Sequence, residues 1–416
     1  MATPGNDSSS ADPGVDVPRL SAEQSARLLT RAGAFAISGV LLAVAAALSD
    51  SHRFAYSYLT GFEFTVTIGI GGLILVLIQH LTRAGWSVAA RRSMEWLAGF
   101  LPVAAILFVP IALCHGDLYH EWVHPGPDEA AMVAEKRAFL NPPFFFARAA
   151  FYFAVWGAIS YFYRRNSQRQ DTSGDPALTS RMQKFAPPLM FAVAYTMGFS
   201  GIDWVMSIKP AWFSTMFAVY LFAGAMTSSL AVLAMLMVTF RSRGFFRRIF
   251  TVEHQHDVGK LLFAFVVFYA YISFCQFFLI WYANIPEETN YYHLRFTGTW
   301  YSGWKSVSWL LVIGHFAVPF ALLLPRTIKR HKAGLFLSAA LVLVMHYVDM
   351  YWLVMPNLDE KAPSLAWSTL WIDVAGLAAP LGVLCFWLAY RASHDPLFPL
   401  QDPRIPETLR VDNGQG

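Results

Sequence analysis

Ten stretches of this chain stay apolar for about 20 residues or more, the length an α-helix needs to cross the hydrocarbon of a bilayer. They lie near 31–49, 54–82, 93–115, 143–164, 185–208, 212–240, 259–283, 301–325, 333–356 and 367–390. Within lipid every backbone N–H and C=O has to be paired inside the protein, and unbroken apolar runs satisfy that demand as helices. The sequence therefore predicts an all-α fold: a polytopic bundle of about ten transmembrane helices, arranged as two four-helix bundles with flanking helices. Only Ile208-Lys209-Pro210-Ala211 separates the fifth and sixth runs, and Pro210 beside Lys209 predicts a turn there. The resulting plan is a polar segment 1–30, a transmembrane domain 31–391 and a tail 392–416.

Charge sets the orientation. Only 14% of residues are charged, against about 25% in soluble domains. The net charge of +4 is spread over loops between the runs and forms no basic face, so no nucleic-acid partner is expected. Arg19, Arg27 and Arg31 fall on one set of alternate loops with Arg83, Arg91, Arg92, the cations of 164–184, 241–260 and 326–332, and the C-terminal arginines. That set holds 23 of the 31 basic residues. The other holds Arg53, Lys136, Arg137, Lys209, Arg295, Lys305 and Lys361, and Arg148 is left inside a span. The positive-inside rule puts both termini in the cytoplasm. Residues 1–20 are polar, and no short apolar stretch with a cleavage site precedes the first run, so no cleaved leader is expected.

Links 116–142, with a short helix expected around 128–139, and 284–300 form small lids on the opposite side. Cys114, Cys275 and Cys385 are widely separated, and no C-x-x-C or C-x-x-C-H occurs. These residues therefore supply no c-haem attachment and no iron–sulfur ligand set, and no metal site is expected.

Ionisable side chains inside a span cost about 2.5–3.5 kcal/mol each on insertion scales, so each asks for a partner or a purpose. Glu63, Arg148, Asp203, His346, Asp349 and Asp373 fall on the half away from the termini, and His80 and Glu95 on the terminal half. His315 lies between, four residues ahead of Pro319, which has no N–H to return to its carbonyl. Arg148 offers an ion pair to Asp203 or Glu63. The carboxylates outnumber it, and together Glu63, His80, Glu95, Asp203, His315, His346, Asp349 and Asp373 are candidates for a polar thread that carries protons. Haem b needs two histidines facing each other at one depth. His80, His315 and His346 read as inner, middle and outer, which gives no such pair.

Several stretches resemble a known family: Trp86-Ser87 with Arg91-Arg92 and Glu95, Leu140 to Arg148 (LNPPFFFAR), and Asp203-Trp204-Val205-Met206-Ser207 running on to Trp212–Phe217. Val258–Phe265, Gln276–Glu288 (QFFLIWYANIPEE), His315-Phe316-Ala317-Val318-Pro319-Phe320 and His346–Trp352 continue the likeness. Together they resemble the NrfD/polysulfide-reductase membrane subunits, most closely the ActF-type subunit of alternative complex III, over most of residues 85–355. The resemblance implies a respiratory or photosynthetic quinol:electron-acceptor oxidoreductase. Its iron–sulfur clusters and c haems would sit on partner subunits, beside a larger NrfD-like subunit. This chain would then bind no cofactor and supply a proton passage and a membrane platform. Two alternatives stand: a subunit that itself oxidises menaquinol or ubiquinol at the outer face, with Glu63, Asp203, His346 or Asp349 taking the proton, and a stand-alone secondary transporter. The prolines show none of the paired interruptions that inverted transporter halves carry.

Overall fold

The computed structural model describes residues 16, 18–127, 130–296, 303–358 and 367–411. Ten helices in it are long and apolar enough to cross a membrane: α1 Ala22–Ser49, α2 Ser51–Leu81, α3 Val88–Leu113, α4 Pro142–Ser173, α5 Pro176–Ile208, α6 Phe217–Ser242, α7 Val252–Ala283, α8 Trp304–Leu323, α9 Lys332–Asn357 and α10 Leu370–His394. No strand occurs among the described residues. The chain is an all-α, multi-pass membrane protein.

Local chemistry fixes the ends. Ser21 and Gln24 form a capping box that starts α1 well ahead of its apolar run. Asp50 ends α1 and caps α2 by accepting the Arg53 N–H at 2.9 Å, so one residue makes the turn. Asn141 caps α4 with Pro142 at its first position. Gly174, at φ +63°, ends α4. The helix broken at Ile208 restarts at Phe217, with the turn where Pro210 stands.

Helices α2–α5 pack as one set of four and α6–α9 as another, and α2 against α6 joins them. Both of those helices are buried along most of their length. The α2–α6 crossing is close because Gly71 has no side chain: a Cβ there would strike the Ala225 carbonyl. On the other flank α10 lies against α2 through Gly61 and Gly376, each facing the other helix's backbone, and α1 packs along α10. The outward face of α1 carries Ile37, Leu41 and Leu48, all exposed, as a lipid-facing surface requires.

Successive crossings give the molecule two faces. The terminal face holds Pro18, the start of α1 and the described segment after His394. The link face holds short helices at His115–Leu118, His120–Val123, Ala130–Lys136 and Pro286–Phe296. The helix expected around 128–139 thus runs from Ala130, while Asp128 and Glu129 lie outside the described residues, as do 297–302 of the second link and Lys361. The C-terminal segment is built into the terminal face: Leu397 N–H donates to the Pro18 carbonyl at 2.7 Å, and Asp395, Leu397, Asp402 and Thr408 are buried.

Candidate functional site

His346 and Asp349 sit three residues apart on α9 and share one face, both fully buried. Asp349 Oδ1 accepts the hydroxyl proton of Tyr220 on α6. Tyr220 in turn meets the Tyr269 hydroxyl of α7 at 2.9 Å. A phenol has one proton to give, so with Tyr220 committed to Asp349, Tyr269 is the donor in that second bond. His315 of α8 lies against the Tyr269 ring, centroids 4.1 Å apart, and its ring is 6.4 Å from that of His346. His346 Nε2 lies 2.9 Å from the hydroxyl of Thr67 on α2. Thr67 donates to the Glu63 carbonyl at 2.8 Å, which assigns the Nε2 proton to His346 and leaves its Nδ1 as a bare acceptor.

Five helices therefore meet in one polar cluster. Part of the cluster remains unpaired. His346 Nδ1, both nitrogens of His315 and Asp349 Oδ2 are buried with no hydrogen-bond partner in the protein. Each such atom costs about 1–3 kcal/mol, and buried polar groups are otherwise almost always paired. His315 also lies in a π-helical turn, residues 311–317, just ahead of Pro319. Such widened turns recur at functional sites. The expected difference in depth between His315 and His346 does not hold: their helices run in opposite directions and bring the rings side by side.

The other acids of the link-face half are held differently. Arg148 grips Asp203 with two parallel bonds of 2.8 and 2.7 Å, and Tyr152 adds a third at 2.7 Å. The guanidinium is stacked under Phe139 at 3.8 Å and Phe144 at 4.3 Å. Asp373 accepts from Arg53 Nε at 3.1 Å and Nη2 at 2.5 Å, from Ser57 at 2.5 Å and from Tyr351 at 2.8 Å. Both carboxylates are saturated ion pairs. Glu63, one turn from Thr67, is buried with Oε1 unpaired. Tyr119 of the first link donates to the Trp204 carbonyl at 3.0 Å. Burial pushes its hydroxyl pKa well up, and the nearby charges of Glu63 and Asp203 push it further.

His80 and Glu95 belong to the terminal face and do not join the cluster. Glu95 accepts from Arg92 at 2.9 Å, and Arg92 also holds Asp171 at 2.5 Å. The His80 ring packs 5.0 Å from that of Tyr163. Thirteen residues of α2, about 20 Å of helix, separate Thr67 from His80. The intervening Ile68–Leu77 is wholly apolar and buried. The hydroxyls alongside it, Ser228 and Ser229, donate to the Ala225 and Ile68 carbonyls. In this conformation the candidate residues form a central cluster and a terminal-face group with an apolar segment between them.

Thr67, Tyr220, Tyr269 and Arg53 were not singled out from the sequence. Depth matching could have found Arg53, since it and Asp373 both stand about one turn inside their helices from the link face. The tyrosines carried no such signal among 17. No group of three or more His, Cys, Asp or Glu among the described residues is arranged to hold a metal ion. No family model and no curated protein matches this chain.

Proposed function

We propose that this chain is a cofactor-free membrane subunit of a quinol:electron-acceptor oxidoreductase, of the NrfD/polysulfide-reductase kind and nearest to the ActF-type subunit of alternative complex III. Its own contribution is a proton path through His315, His346 and Asp349 and a platform for the subunits that carry iron–sulfur clusters and c haems. Family resemblance over most of residues 85–355 supports the assignment to such a complex. The distribution of basic residues supports both termini in the cytoplasm, and the family resemblance supports a bacterial inner membrane.

One observation carries the proton path. The cluster joins acid, phenol and imidazole groups from five helices and leaves four of their buried atoms bare, whereas Asp203 and Asp373 nearby are fully paired. What separates the cluster from those two acids is that its one carboxylate faces phenols and imidazoles with no guanidinium among its hydrogen-bond partners. A relay needs acceptors that are open in turn, and the Tyr269–Tyr220–Asp349 chain supplies an ordered line of donors ending at such a carboxylate.

The test is to compare proton translocation with quinol-to-acceptor electron flow in the intact complex carrying Asp349→Asn or His315→Ala. Translocation should fall while electron flow persists. Equal loss of both would move the cluster to quinol chemistry or assembly.

A further inference from the structure

On the link face a cleft opens between the α5–α6 turn, the helix Pro286–Phe296 and the end of α9, with about 10 Å³ of solvent-sized space, room for about one water. Trp212 and Tyr291 stack face to face along one wall, centroids 3.9 Å apart and planes at 11°. Asn357 lines it too, with its amide nitrogen spent on the Leu353 and Val354 carbonyls at 3.0 and 2.9 Å. Three buried polar atoms of these residues have no partner in the protein: Trp212 Nε1, Tyr291 OH and Asn357 Oδ1. These residues line the cleft and keep two donors and one acceptor unpaired in its wall. At the rim Lys209 pairs with Glu121, and both are partly exposed.

The position of this cleft gives it meaning. Asp349, Leu353 and Asn357 follow at intervals of four on one face of α9. Phe217 and Tyr220, three apart on α6, do the same opposite, with their rings parallel and 6.4 Å apart. Leu353 and Phe217 line the cleft, and Asp349 with its donor Tyr220 stands one turn deeper. One apolar layer separates the opening from the carboxylate whose Oδ2 is unpaired. Burial pushes the Tyr291 hydroxyl up to about 12; the guanidinium of Arg295, 3.4 Å from the ring centroid, works against the rise, and the charge of Asp349 adds to it.

We infer that the cleft at Trp212, Tyr291 and Asn357 is the opening through which Asp349 exchanges protons with water on the link face, and that Phe217 and Leu353 form the barrier across it. This rests on the proton-path reading for its purpose, though not for its geometry.

The test uses silver ion, a thiol reagent close to water in size, on the whole complex in sealed vesicles of one orientation. Cys114, Cys275 and Cys385 are replaced by Ser, and single cysteines are placed by Leu353→Cys, Asn357→Cys and Val342→Cys, the last two turns beyond Asp349 on the same face. Reaction is read as protection from alkylation after unfolding, independent of transport. Silver added on the link side should protect the cysteines at 357 and 353 and leave that at 342 free. Phe217→Ala should speed the reaction at 353 by about tenfold. Faster protection at 342 than at 353, or an unchanged rate with Phe217→Ala, overturns the opening. Protection as expected in a complex whose proton translocation survives Asp349→Asn would keep the opening and sink the proton-path reading instead.

Discussion

Arg53 and Asp373, 320 residues apart in sequence, meet through two parallel hydrogen bonds of 3.1 and 2.5 Å and lock the start of α2 to the start of α10. Ser57 and Tyr351 complete the carboxylate's shell. Asp349 is as deeply buried but keeps Oδ2 bare and faces no guanidinium among its hydrogen-bond partners. The same residue type thus serves as a clamp in one place and as an open acceptor in another.

That contrast predicts opposite outcomes for one substitution. Asp373→Asn or Asp203→Asn leaves Arg53 or Arg148 buried without its counter-charge, which should cost about 3–5 kcal/mol. Asp349→Asn keeps an oxygen for the Tyr220 hydroxyl and strands no cation, so its cost should stay within about 1 kcal/mol. Thermal unfolding of the purified protein in detergent separates them: a marked drop in Tm for the first two and little change for the third. A drop for Asp349→Asn as large as the others would make it a structural acid.

The Arg148–Asp203 pair should be replaceable but not divisible. Arg148→Met or Asp203→Leu alone leaves a buried charge exposed to an apolar neighbourhood. The double variant removes both, and exchanging a buried pair for apolar residues of similar volume is often neutral or stabilising by about 1–4 kcal/mol. Tm in the same detergent should fall for each single change and return to near or above the starting value for the pair. Additive losses would mean that the shell of Tyr152, Phe139 and Phe144 holds the helices more than the ion pair does.

Gly224 offers a way to disturb the cluster without removing any of its chemistry. A Cβ at this position would stand 3.0 Å from His346 Cε1, close enough to shift the imidazole by a few tenths of an ångström and stretch its 2.9 Å bond to Thr67. Stretching that bond should cost less than the roughly 1 kcal/mol of the whole bond. If proton transfer runs through the ring, Gly224→Ala should lower proton translocation by up to about fivefold with all ionisable groups in place. Unchanged translocation would remove His346 from the path.

Much of this architecture is written in run length alone, because a lipid solvent punishes any other use of 20 apolar residues. The ten spans appear where the runs lie. Their ends do not, because helices continue beyond the apolar core: α1 starts at Ala22, α5 at Pro176 and α7 at Val252, each at a capping side chain that hydropathy ignores. The ionisable residues were legible as anomalies, while their pairing was not. Arg53 read as a loop cation because it lies three residues into α2, and nothing local ties it to Asp373. Whether a buried acid is paired depends on which helix stands beside it, a tertiary fact. The relative depth of His315 and His346 failed for the same reason, since it depends on how two antiparallel helices slide.

The described part of the C-terminal segment, up to Val411, is tied to the bundle by side-chain contacts. Thr408 donates to the Trp86 carbonyl at 2.6 Å and meets His254 Nε2 at 3.1 Å, joining the loop after α2 to the start of α7. Leu400 N–H reaches Asp171 at 2.9 Å, and Asp402 pairs with Arg91 where both are nearly inaccessible. Asp402→Ala therefore strands a buried guanidinium at the base of α3 and should cost about 3–5 kcal/mol. Arg404→Ala breaks only the pair with Glu407, whose carboxylate is half exposed, and should cost under about 1 kcal/mol. Hydrogen bonding to Arg404 holds the Glu407 carboxyl below its ordinary 4.5. Its small contribution is therefore complete above that pH and fades as pH falls through the lower folded value. Protease release of the segment beyond His394, followed with denaturant, should come earlier for Asp402→Ala and be near normal for Arg404→Ala. Equal release from both would mean that the clasp is held by its backbone contacts, with the buried Arg91 finding another partner once Asp402 is gone.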